Sequence, residues 1–411
     1  MNPLIRPFAA LRPQPGRAQE VVAPPYDVLS SEEARAAAAG RPCSFLHISK
    51  AEIDLPPGTD VYSEAVYARA RENFERLRAD GVLRQDAQPS YYLYQLVMGH
   101  HEQNGVVAVG SVTAYEENRI RRHELTRPDK EDDRVRQIDV LKAQTGPVLL
   151  TYRARPAVSS MLADIRRAPP ETEVTLDGVR HRLWPITDTH LVTRLTKELG
   201  GAELLYIADG HHRSAAAARV ARLHAQDGAQ PPDSPYRYFL AVLFPDTEVR
   251  ILDYNRVVQD LNGQQPDAFR MRLAEVFTVR FSPIPVKPSR KGEFGMYLDH
   301  AWYRLRIRPQ QVPDDPVQSL DVSLLDRYVL APLLAISDPR RDRRIDFVGG
   351  IRGLSALERR VDRGGMAVAF SLFPTALGDL MKVADAGQIM PPKSTWFEPK
   401  LADGLVSHLL A

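Results

Sequence analysis

The chain has 411 residues, 44% hydrophobic and 26% charged, which suits two globular domains and excludes a disordered or fibrous polypeptide. Lys and Arg number 54 against 52 Asp and Glu, so the formal charge of +2 supplies no field for a polyanion, and any anion site must be local. The single cysteine, Cys43, excludes an internal disulfide or a multi-cysteine zinc site, and no apolar stretch approaches the roughly 18 residues of a membrane span.

The opening Met1–Phe8, with two prolines and an arginine, does not read as a signal peptide, so a cytoplasmic location is expected. Paired prolines at 24–25, 56–57, 169–170, 231–232 and 391–392 read as loops. Val61 to Ala79 repeats apolar residues at helical spacing and stops at Asp80-Gly81, so a surface helix is expected. Tyr91–Met98 and Val106–Tyr115 read as strands of a hairpin, with His100–Gly105 between them. Thr172–Leu176 and Val179–Trp184 flank Asp177-Gly178, a two-residue hairpin turn. Glu203–Ala208 has strand length, and Ser214–His224 is alanine-rich with high helix propensity, leaving Asp209–Arg213 as the turn between them. Tyr236–Phe244 is another buried strand. The first domain is expected to cover 1–250 and the second 251–411, where helix-like and strand-like segments alternate around an exposed basic loop at 284–292. No internal repeat is seen.

A strand that turns directly into a helix can receive an anion, because the first helical amides lack intrahelical acceptors and carry the positive end of the dipole. Asp209-Gly210-His211-His212-Arg213 stands at such a place. Gly210 lets the backbone approach a ligand, Arg213 can grip a phosphate through two donors, His211 and His212 add donors, and Asp209 suits Mg²⁺ or a substrate hydroxyl. Two other readings stay open here. Asp209 can serve as a helix cap with Arg213 as its partner, or Asp209, His211 and His212 can ligate zinc. A second cluster, His123-Glu124-Leu125-Thr126 followed by Lys130 and Asp133-Arg134, offers a base and phosphate clamps, or simply a solvated helix start. Tyr26-Asp27 behind a diproline, and Lys393-Ser394-Thr395 behind another, read as pocket walls or as stiffened loops.

With these residues in hand, the chain resembles domain-of-unknown-function family 1015 along nearly its whole length. The resemblance is carried by Arg6-Pro7-Phe8, Pro24-Pro25-Tyr26-Asp27-Val28, Phe45-Leu46-His47, His123-Glu124 with Thr126, Lys130 with Asp133-Arg134, Ala208–Arg213 and Met390–Phe397. The Asp209–Arg213 turn is also similar to that of the ParB and sulfiredoxin-like superfamily, where it faces nucleotide phosphates and which includes kinases of free L-serine. The resemblance implies an α/β fold with mixed sheets, a phosphate-binding turn in the N-terminal domain and a smaller α+β C-terminal domain. It implies catalytic roles for Asp209 and a separate glutamate, for which Glu124 is the candidate, with His123 beside it. Sulfiredoxin's cysteine has no counterpart here, since His211 follows Gly210.

The activity expected is transfer of a phosphoryl group from ATP, ADP or pyrophosphate to a small hydroxyl compound, free serine first among them. Gly210, His211, His212 and Arg213 would bind the donor, with Mg²⁺ at Asp209. Tyr26, Asp27, Thr126, Lys130, Asp133, Arg134, Lys393, Ser394 and Thr395 would bind the acceptor. A metal-dependent phosphoesterase and a nucleotide-sensing regulator are the alternatives. Neither nucleic acid nor membrane is expected as a partner, and a homodimer is allowed for.

Overall fold

The computed structural model describes residues 3–226, 231 and 233–411. Met1, Asn2 and Pro232, the second residue of one proline pair, lie outside the described residues. The chain forms two units, Met1–Val249 with Pro399–Ala411, and Arg250–Glu398. The tail Pro399–Ala411, which the sequence reading gave to the second domain, builds into the first unit. Its residues Leu401, Ala402, Leu405, Val406, Leu409 and Leu410 are all buried. His408 and Leu409 pair with Gln144 and Ala143, and Ser407 and Asp403 bridge to Leu11 and Ala23. A segment this short cannot bury its own apolar side chains, so it completes a neighbouring core.

The first unit is mixed α/β, built on one nine-stranded sheet. From edge to edge its strands are Ile120–Arg121, Leu205–Asp209, Val148–Tyr152, Tyr238–Pro245, His101–Ser111, Tyr91–Met98, Val179–Ile186 and Thr172–Leu176, with Ile5–Arg6 also pairing to His101–Ser111. Two pairings, Leu205–Asp209 with Ile120–Arg121 and Tyr238–Pro245 with Val148–Tyr152, are parallel, and the others are antiparallel. Every residue of Tyr238–Pro245 is buried, the pattern of a central strand covered on both faces.

The turn at Asp177-Gly178 has φ of 49° and 78°, as a two-residue hairpin with the favoured twist requires. The helix Glu64–Ala79 ends at Asp80, ahead of Gly81 with φ of 67°. The strand His101–Ser111 begins earlier than its polar residues predict, because Gln95–Met98 supply cross-strand partners to His101–Asn104. Val112–Glu116 then forms a short helix where strand was expected.

The second unit is a six-stranded antiparallel sheet in the order Phe277–Ser282, Ala301–Ile307, Glu293–Leu298, Val368–Leu372, Tyr254–Val258, Ile345–Gly349. The helix Leu354–Asp362 packs Leu357 and Val361 against Val257, Trp302 and Ala369. Among the described residues, no helix is long and apolar enough to cross a membrane.

Candidate functional site

Leu205 and Ile207 bury themselves in the sheet core, and the register against Val148–Tyr152 shifts between Ile207 and Asp209. Such a bulge re-aims the strand end. Gly210 follows with φ of 94°, and a Cβ there would stand 3.3 Å from the Val148 Cα. Glycine alone adopts this conformation at little cost. The helix His211–Gln226 starts at once, so His211–Arg213 form its first turn rather than extending the loop. The amides of Arg213 and Ser214 both donate to the Gly210 carbonyl, at 2.9 and 3.1 Å, which makes Gly210 the cap. Asp209 instead accepts the Gly210 amide at 2.9 Å and pairs with Lys400 at 3.1 Å. The capping reading, with Arg213 as partner to Asp209, is therefore replaced.

Ala215 to Ala218 are buried and small, which lets this helix lie close against its neighbours. The helix Pro128–Leu141 packs Val135 and Ile138 on Ala216 and Val220, and Arg219 ties the pair by donating to Glu131 and Asp132 at 3.0 and 2.7 Å. This packing fixes Asp133 and Arg134 near the turn. Asp133 accepts from Tyr67 at 2.9 Å and holds Arg134 by two bonds of 3.0 and 2.7 Å.

Two guanidiniums stand over the Tyr26 ring, Arg134 at 3.9 Å and Arg213 at 5.5 Å from its centroid. Arg213 donates to the Pro147 carbonyl at 2.8 Å and stands 3.6 Å from Asp27. Asp403 is 2% exposed, accepts the Tyr26 amide at 3.3 Å through Oδ2, and has no partner for Oδ1 among the described residues. Burial pushes its carboxyl up to about 7 against the pull of Arg213. Tyr26, Ser49, Arg134, Gln144, Arg213 and Asp403 line a cavity of about 30 Å³, room for about two waters. Asp209 differs from Asp403 in kind. Its side chain is 39% exposed, and although burial works to raise its carboxyl, Lys400 and Arg213 hold it down at about 2.

The histidines pin the loop before Pro128–Leu141 to the helix start. His212 Nε2 accepts the Arg127 amide at 3.0 Å, and His211 Nε2 lies 3.5 Å from the His123 amide. The His123 and His211 rings meet edge to face with centroids 4.5 Å apart, and they are 1% and 5% exposed. Burial drives His123 down to about 4, and burial together with His123 drives His211 well below its ordinary value, so both rings are neutral at pH 7. As a donor to phosphate, His212 is left with Nδ1. Half-buried Glu124 joins His123 and His211 in a group whose ligand-type atoms lie within 4.8 Å of one another.

The structure thus brings Tyr26, Asp27, Asp133, Arg134, Asp209, Gly210 and Arg213 into one neighbourhood, and His123, Glu124 and His211 into a cluster. Thr126 and Lys130 are engaged elsewhere: Thr126 donates to Glu131 at 2.8 Å and Lys130 to the Tyr62 hydroxyl at 2.9 Å, both supporting the start of Pro128–Leu141. Lys393, Ser394 and Thr395 belong to the second unit. There the Lys393 carbonyl accepts from Arg256 at 3.1 Å, Ser394 donates to the Pro391 carbonyl at 2.6 Å, and Thr395 precedes the strand Trp396–Glu398. Sequence reasoning missed Asp403 and offered Lys400 only as one of the two lysines of the Met390–Lys400 segment, read as a pocket wall or a stiffened loop. Lys400 ends the proline-rich segment that begins at Met390, whereas nothing local marks Asp403.

No curated protein matches the chain. Among solved structures, it is similar to a free serine kinase in complex with AMP, with 12% identity and a TM-score of 0.36 over 71% of this chain and 86% of that one. It is also similar to SbnI with a C-terminal truncation from Staphylococcus aureus (10%, TM-score 0.38, 72% and 85%) and to a conserved hypothetical protein from Pyrococcus furiosus (14%, TM-score 0.34, 73% and 93%). Likeness at this level carries no argument about activity. The family model described as "Protein of unknown function (DUF1015)" matches residues 5–323, and the chain belongs to that family.

Proposed function

We propose that this protein is a phosphotransferase that moves a phosphoryl group from a nucleotide or pyrophosphate onto the hydroxyl of a small amino acid, with free serine as the first candidate. The observation that carries the reading is the Gly210 cap: helix-start amides, a guanidinium anchored by Pro147, and an ionised, partly exposed carboxylate share one turn. Phosphoryl transfer is chiefly positioning and charge neutralisation, which these groups supply. The amides after Gly210 and the Arg213 side chain receive donor phosphate. Lys400 adds a positive charge beside Asp209.

Asp209 stays ionised at neutral pH, so it suits orienting the acceptor hydroxyl better than removing its proton. It also fits Mg²⁺, a hard ion that takes one or two carboxylates and completes its shell with water and phosphate oxygens, because its oxygens keep lone pairs beyond those used by Gly210 and Lys400. Bound there, the ion would neutralise phosphate charge. Arg134 matches an acceptor carboxylate. The alternative ligand set of Asp209, His211 and His212 is disfavoured by the bond from the Arg127 amide to His212.

The test incubates the purified chain with serine, Mg²⁺ and ATP, ADP or pyrophosphate, and follows phosphoserine by mass spectrometry. Product that disappears in Asp209→Asn supports the proposal. No phosphoserine with any donor removes serine as acceptor, and a failed screen of other hydroxyl amino acids removes the reading.

A further inference from the structure

His123 presents a problem that the phosphate-binding turn does not solve. Both ring nitrogens are buried, and apart from a backbone contact to Ile207 they have no hydrogen-bond partner among the described residues. A ring nitrogen left dry in this way loses its bond to water without replacement, which native structures rarely leave uncompensated. Its neighbours say what compensates it. The His211 ring sits 4.5 Å away, edge to face, and Glu124 brings a carboxylate oxygen into the same group, all ligand-type atoms lying within 4.8 Å of one another.

We infer that His123, Glu124 and His211 form a binding site for a zinc-type divalent ion, with three protein donors and a coordination position left open. Two imidazoles and one carboxylate are the donor set of open zinc sites, and they suit borderline ions better than Mg²⁺, which seeks oxygen alone. Donors on one tetrahedral zinc, at roughly 2.0–2.1 Å from it, stand about 3.4 Å apart, so the group closes by about an ångström or a little more when it binds. Such an ion would clamp the loop at His123 to the first turn of the helix at His211, directly after the turn that carries Asp209. The inference does not depend on phosphotransfer.

The experiment uses the full chain, stripped with a chelator and then titrated with Zn²⁺ by calorimetry and with Co²⁺ by visible absorption. The expected results are one ion per chain, tetrahedral Co²⁺ bands, a higher melting temperature with Zn²⁺, and at least about tenfold weaker binding in Glu124→Gln, which keeps the side chain's size. His123→Asn serves as the second variant, with circular dichroism to confirm that it folds. If His123→Asn does not fold, Glu124→Gln and the wild-type cobalt spectrum decide. Absence of stoichiometric binding by the wild type overturns the inference. So does binding that survives unchanged in the folded variants, since the ion would then sit elsewhere. Neither result depends on phosphoserine formation, so failure of the site and failure of the proposed reaction remain distinguishable.

Discussion

Replacing Asp403 by asparagine tests the electrostatics of the cavity beside Tyr26. The Asp403 carboxyl titrates at about 7 in the folded chain, against an ordinary 3.8, because burial disfavours its charged form more than Arg213 favours it. Each unit of difference is worth about 1.4 kcal/mol, so the ionised carboxylate costs the folded state roughly 4 kcal/mol above neutral pH. The sign follows from proton binding. Near pH 3.8 and below, both states hold the proton and no penalty arises. As the pH rises towards 7 the unfolded chain releases its proton first, stability falls, and above 7 the loss levels off. Asparagine never ionises. Urea denaturation of wild type and Asp403→Asn from pH 4 to pH 8 should therefore show nearly equal stabilities at the acid end and a variant advantage that grows to a few kcal/mol by pH 8. A difference that stays flat across the range would refute the reasoning and mean that Asp403 titrates like an exposed carboxyl.

Gly210→Ala forces a left-handed backbone on a residue with a Cβ and presses it towards Val148, so it should cost at least about 1–2 kcal/mol in urea unfolding and weaken nucleotide-induced thermal stabilisation. Unchanged unfolding would show that the turn relaxes freely. Lys400→Met removes the main partner holding the Asp209 carboxyl down, so the acid limb of activity or donor binding against pH should move upward; a limb that stays in place would assign it to another group. His212→Ala strips the acceptor from the exposed Arg127 amide, with an expected loss of about 0.5–1.5 kcal/mol and faster hydrogen exchange at that amide. Unaltered exchange would show that the loop is held by other bonds.

Some of this architecture was legible because its causes are local. Asp177-Gly178 dictates a hairpin through backbone conformations that few other pairs adopt, and the helix Glu64–Ala79 follows from apolar spacing and a glycine stop. Motif residues Tyr26, Arg134, Asp209 and Arg213 share a neighbourhood, and the turn they surround was legible from strand, glycine and alanine-rich helix in succession. What escaped depends on distant parts of the chain. Asp403 reaches Tyr26, and Lys400 reaches Asp209, only because the C-terminal tail bridges to Ala23 and pairs with Ala143-Gln144, contacts between segments hundreds of residues apart. The roles of His211 and His212 also escaped. A histidine beside a glycine turn reads as a phosphate donor, whereas here burial keeps both rings from charging readily, and the amide of Arg127 claims one acceptor nitrogen. Thr126 and Lys130 went the other way, since the ordinary needs of a helix start account for them.

In the proposed reaction the turn at Gly210 seats a phosphate-bearing donor. Calorimetric titration of ATP, ADP and pyrophosphate, each with Mg²⁺, into wild type and a folded Arg213→Met variant tests it most directly. Saturable binding of at least one donor by the wild type is expected, with a loss of tenfold or more, about 1.4 kcal/mol, in the variant. Equal affinities in the two proteins, or no binding of any donor to the wild type, would contradict it.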